Sequence, residues 1–133
     1  MSLYSKFKTD PSKVTKGIKV QIDESIFIIR PMNNENKEYQ KAMADFQNAN
    51  RVQLKTNTIS DEKLRVMVRE IFCETVLVGW KNVADENGNL MEFNKENAVK
   101  LLTDLDFIYT TLLEVAADHN SFMQSVKESD LKN

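Results

Sequence analysis

Cysteine is almost missing from this chain of 133 residues: Cys73 stands alone. No intramolecular disulfide can form and no zinc site built on four cysteines, which fits a reducing compartment. Histidine and tryptophan are equally scarce, with one each, His119 and Trp80. The three glycines, Gly17, Gly79 and Gly88, are scattered singly. They cannot form a phosphate-cradling loop, and this excludes the common nucleotide enzymes. Apolar runs stop at three or four residues, as in Val76 to Val78 and Ile26 to Ile29. The start, Met1-Ser2-Leu3-Tyr4, lacks the apolar stretch of a signal peptide. The expectation is a soluble intracellular protein, neither secreted nor membrane-spanning.

What is there suffices for one core. At this length, 41% apolar residues can bury a core without staples, so a single domain over residues 17–126 is expected. Residues 1–16 read as a mobile arm and 127–133 as a frayed tail. The net charge of −2 hides an asymmetry. Residues 1–60 carry ten basic and six acidic side chains, whereas 61–133 carry eight and fourteen. The excess lysines Lys6, Lys8, Lys13, Lys16 and Lys19 have neither an aromatic platform nor an arginine cluster beside them, so nucleic acid is not the expected partner. Opposite charge at the two ends suits head-to-tail association of copies.

After Gly17, the alternation of Ile18, Val20 and Ile22 with Lys19 and Gln21 has the two-residue period of a half-buried strand. Asp23-Glu24-Ser25 supplies a turn, and Ile26 to Arg30 a second strand ended by Pro31. Asn33, Asn34 or Asn36 caps a helix running to about Asn50, with Val52 and Leu54 in a loop or short extended piece beyond it. The capping sequence Thr58-Ile59-Ser60-Asp61 opens the central helix, with Leu64, Met67, Val68, Ile71, Phe72, Val76 and Val78 as its stripe and an end near Gly79. Asp85 to Asn89 forms a polar turn, and Asn94 caps the next helix. Leu101, Leu105, Ile108, Leu112, Val115, His119, Phe122 and Val126 recur at alternating intervals of four and three, the seam of a packed helix. Asp104 and Asp106 argue for a bend within it. The fold expected is mainly α within the α+β class, four to five helices with one N-terminal β-hairpin.

Catalytic readings compete with plainer ones. A nucleophile would need His119 beside Cys73, yet one falls on the seam and the other inside the central helix, with no glycine elbow near either. Glu70 and Glu74 share a helical face and Asp118 adjoins His119, but solvent faces of helices carry acids routinely, and no spacing fixes a metal. Asp85, Asn87, Asn89 and Glu96 imitate positions 1, 3, 5 and 12 of a calcium loop. Leu90 occupies position 6, where such a loop bends on glycine, so a tight turn with Gly88 as its left-handed residue is the better reading. The expectation is no enzyme, no metal and no cofactor.

The ordered pieces from residue 76 to 122 carry a resemblance. They are Val76-Leu77-Val78-Gly79-Trp80-Lys81-Asn82-Val83, the acidic turn Asp85-Glu86-Asn87-Gly88, Phe93-Asn94-Lys95-Glu96-Asn97-Ala98, Leu101-Leu102 and Asp106-Phe107. The set resembles the tail assembly chaperones of long-tailed bacteriophages, although Asp104-Leu105-Asp106 stands where many relatives have a proline. The resemblance implies a non-enzymatic protein of the bacterial host cytoplasm that escorts the tape measure protein before the tail tube polymerises and is absent from the virion. It also implies contact with the tail-tube protein through a frameshifted longer form. Self-association into a ring or open spiral follows from the need for many weak docking sites. The candidate docking residues are Leu77, Trp80, Val83, Phe93 and Phe107. An alternative is a tail-completion or neck adaptor retained in the virion.

Overall fold

The computed structural model describes residues 2–124. The expected frayed tail at 127–133 and the last seam position, Val126, lie outside the described residues.

The segment expected as an arm forms two short helices, α1 (Leu3–Phe7) and α2 (Pro11–Lys16). Each has a local cause. The Ser2 hydroxyl accepts from the Ser5 amide, and the Asp10 carboxylate accepts from the Ser12 amide ahead of a proline at the first helical position. The segment is also tied to the far end of the chain: the Asp10 amide donates to the Phe122 carbonyl and the Gln124 amide to the Lys8 carbonyl.

Strands β1 (Ile18–Ile22) and β2 (Ser25–Ile29) form the expected hairpin, and β3 (Leu77–Lys81) adds an antiparallel strand, in the order β1-β2-β3. Gly17 opens the sheet with φ +90°, and a Cβ there would stand 2.7 Å from the Ile29 carbonyl oxygen, so no other residue fits unstrained. The third strand corrects the expected helix end near Gly79. Helix α5 (Asp61–Thr75) stops before Val76, because β2 would otherwise present an open edge to the following run. Backbone pairing with Ile26 to Ile29 outweighs helical continuity for a β-branched stretch containing glycine. A register shift between Ile28 and Ile29 turns Val78 outward and Leu77 and Trp80 inward.

Helix α3 (Lys37–Ala49) is followed by the short α4 (Arg51–Lys55), which replaces the loop or extended piece expected around Val52 and Leu54. Asn36 caps α3, Ser60 caps α5 and Asn94 caps α6 (Lys95–Asp104) through side-chain bonds to their third following amides. Helix α7 (Asp106–Ala117) begins immediately after Leu105, and a 3-10 turn covers His119–Phe122. The bend at Asp104–Asp106 is therefore real, although Leu105 rather than an aspartate takes the cap position, with no side-chain cap bond. The described residues hold seven α-helices and one three-stranded sheet, so the α+β class holds while the strands are not confined to the N-terminus.

One cluster joins the sheet's inner face, α5, α6 and α7, built on Phe27, Ile29, Phe72, Leu77, Leu102 and Leu112. Asn36 is its polar hinge. Fully buried, it donates from Nδ2 to the carbonyls of Pro31 (3.0 Å) and Thr75 (2.8 Å), joining the hairpin's exit, the start of α3 and the end of α5.

Candidate functional site

The five expected docking residues part company. Leu77, Trp80 and Val83 are buried, and Phe93 is half-buried against the core. Trp80 is 9% exposed, donates from Nε1 to the Met91 carbonyl at 3.0 Å, and meets Phe27 and Phe93 edge to face at 6.3 and 5.1 Å between ring centroids. An indole so placed is a core plug under the turn. Phe107 is 74% exposed, on the first turn of α7.

Two further large apolar side chains in this half of the chain are exposed that the sequence did not single out for docking. Leu105, at the bend, is 49% exposed, and Leu90, after the acidic turn, is 73% exposed. Leu105 also lines a groove of ≈ 370 Å³ whose apolar members are Ala84, Met91 and Leu101. Its rim carries Asp85, Glu86 and Asp104, with Lys100 as the single cation among the lining residues. Lys100 is already engaged, its ammonium 2.8 Å from the Asp104 carboxylate, and that bond holds its pKa above the usual lysine value. Leu105 thus stands over an apolar floor inside a mostly acidic border. Exposed apolar side chains grouped and bordered by polar ones mark an interaction surface more often than a catalytic one.

Two features shape this elbow. The turn before it is organised by Asp85, whose carboxylate accepts from the amides of Asn87 and Asn89, both at 2.9 Å, while Gly88 takes φ +82°. The carboxylate imitating the first calcium ligand is therefore occupied as a turn acceptor. Behind the elbow, Arg69 of α5 is buried, with its guanidinium 5.1 Å from the Tyr109 ring centroid. Its Nη1 donates to the Thr103 hydroxyl at 3.5 Å, and Nη2 lies 3.8 Å from the Asp106 carboxylate. One cation thus touches both limbs of the bend. Its Nε has no hydrogen-bond partner among the described residues.

The groups weighed for chemistry are dispersed. Cys73 is buried, and burial first of all pushes its thiol up to about 12, so it stays protonated and unreactive at neutral pH. His119 is exposed near the other end of the chain's path, its Nε2 2.9 Å from the Phe7 carbonyl oxygen. Glu74 pairs with Lys95, whose pKa that hydrogen bond raises. Among the described residues no three His, Cys, Asp or Glu side chains gather where they could hold a metal. No helix there is long and apolar enough to cross a membrane.

The fold is a small α+β domain with an exposed apolar elbow, and comparison with known proteins gives its lineage. The family model of the YdaY prophage protein matches residues 34–133, and the chain belongs to that family. The matched region runs from the turn before α3 through the groove and the elbow. No curated protein and no solved structure matches the chain. A phage origin, expected from the resemblance, holds at the level of a prophage protein family.

Proposed function

We propose that this prophage protein is a tail assembly chaperone: a non-enzymatic escort that binds the tape measure protein in the host cytoplasm and is absent from the finished particle. The observation that carries the reading is the elbow. Leu105 stands half-exposed on a groove floored by Ala84, Met91 and Leu101, and Phe107, two residues further on at the start of α7, is exposed as well. A tape measure protein is long and rich in amphipathic helix, and a helix docks by laying its apolar stripe into a groove of this kind. With Asp104 balanced by Lys100, Asp85 and Glu86 leave the border net acidic, which suits stripes flanked by lysine or arginine. One groove of this size gives weak binding, so many copies along one client supply the holding power.

The test is co-expression of the chain with the tape measure protein of its own prophage. Wild type should keep the client soluble and co-purify with it, while Leu105→Ser with Phe107→Ser should lose the client at unchanged helicity. Equal capture by the double variant would overturn the elbow as the site. Finding the chain in purified tails would favour the retained adaptor instead.

A further inference from the structure

We propose that the outer face of the sheet is a second docking surface, and that its occupant is one amphipathic helix of a partner protein with acidic side chains on both flanks of its apolar stripe. This face shares no residue with the elbow and carries the opposite sign of charge.

The composition of β2 calls for two covers. An antiparallel strand with one open face alternates apolar and polar side chains, whereas a near-continuous apolar run marks a strand covered on both faces. Strand β1 follows the first pattern, with Lys19 and Gln21 exposed and Ile18, Val20 and Ile22 against the core. Strand β2 follows the second. Phe27 and Ile29 are buried in the core, and the alternate positions Ile26 and Ile28 put two more large apolar side chains on the other face, half-buried. The registers set Ile28 between Lys19 and Gly79, and Ile26 between Gln21 and Lys81. Ile28 leans across Gly79, where an added Cβ would stand 3.4 Å from its Cδ1, so the glycine leaves a level floor rather than a hole. Val78, turned outward by the register shift and 38% exposed, widens that floor. The first cover is the core cluster, through which α5 packs on the sheet. Arg30, just past the strand, is already engaged by the Val14 carbonyl and the Glu38 carboxylate, both at 3.0 Å.

Size and charge choose the second cover. Three strands set their outer axes about 10 Å apart, close to the diameter of one helix. Five strand residues run about 17 Å, the length of roughly three helical turns. Lys19 on β1 and Lys81 on β3 stand on opposite sides of the central isoleucines. Both are exposed, and neither ammonium has an ion-pair or hydrogen-bond partner among the described residues. The hairpin's acids, Asp23 and Glu24, follow β1 in the turn beyond Ile26 and do not separate the two lysines from the floor. A helix with acids on both flanks meets a cation on each side, and one with basic flanks is repelled on each side. Two lysines are too few to hold the chain on an anionic membrane, where clusters of about four to eight are typical.

The test uses two synthetic peptides of about fourteen residues with the same leucine stripe, flanked by glutamate in one and by lysine in the other. Titrated into the isotope-labelled full chain, the glutamate peptide should gain helicity and shift the amide resonances of residues 19–21, 26–28 and 78–81. The lysine peptide should leave those resonances in place. Lys19→Glu with Lys81→Glu changes two exposed, unpaired side chains and should keep the wild-type circular dichroism. It should bind the glutamate peptide at least about tenfold more weakly than wild type does. Val78→Ser should weaken binding as well, since the stripe loses part of its floor. Leu105→Ser with Phe107→Ser should bind the glutamate peptide as wild type does, so failure here and failure of the elbow are separate results. No binding of the glutamate peptide, equal binding by the charge-reversed variant, or resonance shifts confined to the elbow overturns the proposal. Co-sedimentation with phosphatidylserine vesicles in the absence of peptide binding would make the face a lipid contact, and overturns it equally.

Discussion

The sheet half of the molecule and the elbow spend apolar residues in opposite ways. Around α5 and β3, Leu77, Val83 and Phe72 reach near-complete burial, and Trp80 satisfies its indole NH on a carbonyl. At the elbow, Leu105 and Phe107 are as apolar and yet lie on the surface. Hydrophobicity is thus not what separates core from exposed surface here; backbone pairing is. Val76 to Lys81 is drawn inward because β2 needs a neighbour, while among the described residues no strand or helix covers the side chains of Leu105 and Phe107.

Substitutions can break this contrast, and the largest effect falls on the core side. Trp80→Ala removes a buried ring with two edge-to-face partners and should destabilise by roughly 3–5 kcal/mol, enough to unfold a marginal domain. Retained cooperative thermal unfolding near the wild-type midpoint would return Trp80 to the surface. Asn36→Ala leaves two buried carbonyls unpaired and α3 uncapped, for about 2–3 kcal/mol. Urea denaturation measures it, and a loss under about 0.5 kcal/mol would show that water replaces the amide.

Cys73 probes the same half through pH. Burial holds its folded pKa at about 12, above the ordinary thiol value of 9.0, so between those values the folded state keeps a proton that the unfolded state has lost. Stability from this group is complete below pH 9 and falls as pH rises, by at most about 1.4 kcal/mol per pH unit. Cys73→Ala should flatten that alkaline decline, as denaturation midpoints at pH 8 and 10 would register, and a slope unchanged from wild type would mean that the thiol is solvated. The smallest stability effect belongs to the elbow: Phe107→Ser should shift stability by no more than about 0.5 kcal/mol while client capture falls. A loss comparable to that of Trp80→Ala would make Phe107 core and erase the contrast.

Much of this was legible in the chain. Two-residue alternation marked β1 and β2, and Asn94 and the group Asn33, Asn34 or Asn36 announced their helices because a cap is a local bond between a side chain and a nearby amide, whereas the capping sequence read from Thr58 set the start of α5 two residues early, Ser60 being the cap. The acidic turn was readable from Asp85 and Gly88 for the same reason. The third strand was hidden, since Val76 and Val78 also fit a helical stripe and only pairing with β2, some fifty residues earlier, decides between them. The candidate site suffered from that one error. With 77–81 taken as a helix end, Trp80 could be read as a core plug or as an anchor, with the core favoured, and in the strand it does point into the core. Leu90 and Leu105 escaped notice because one follows a polar turn and the other occupied a seam position that the bend throws outward. Arg69 gave no signal, for a cation inside an amphipathic helix reads as solvent-facing until Tyr109 and Thr103 are folded onto it.

Arg69 has a consequence for how such a surface changes over time. A flat cation resting on an aromatic ring, holding each limb of the bend by a long polar contact, works like a rudder post. Replacing it with a residue of different reach would swing Leu105 and Phe107 together, reshaping this exposed surface while the residues on it stay the same.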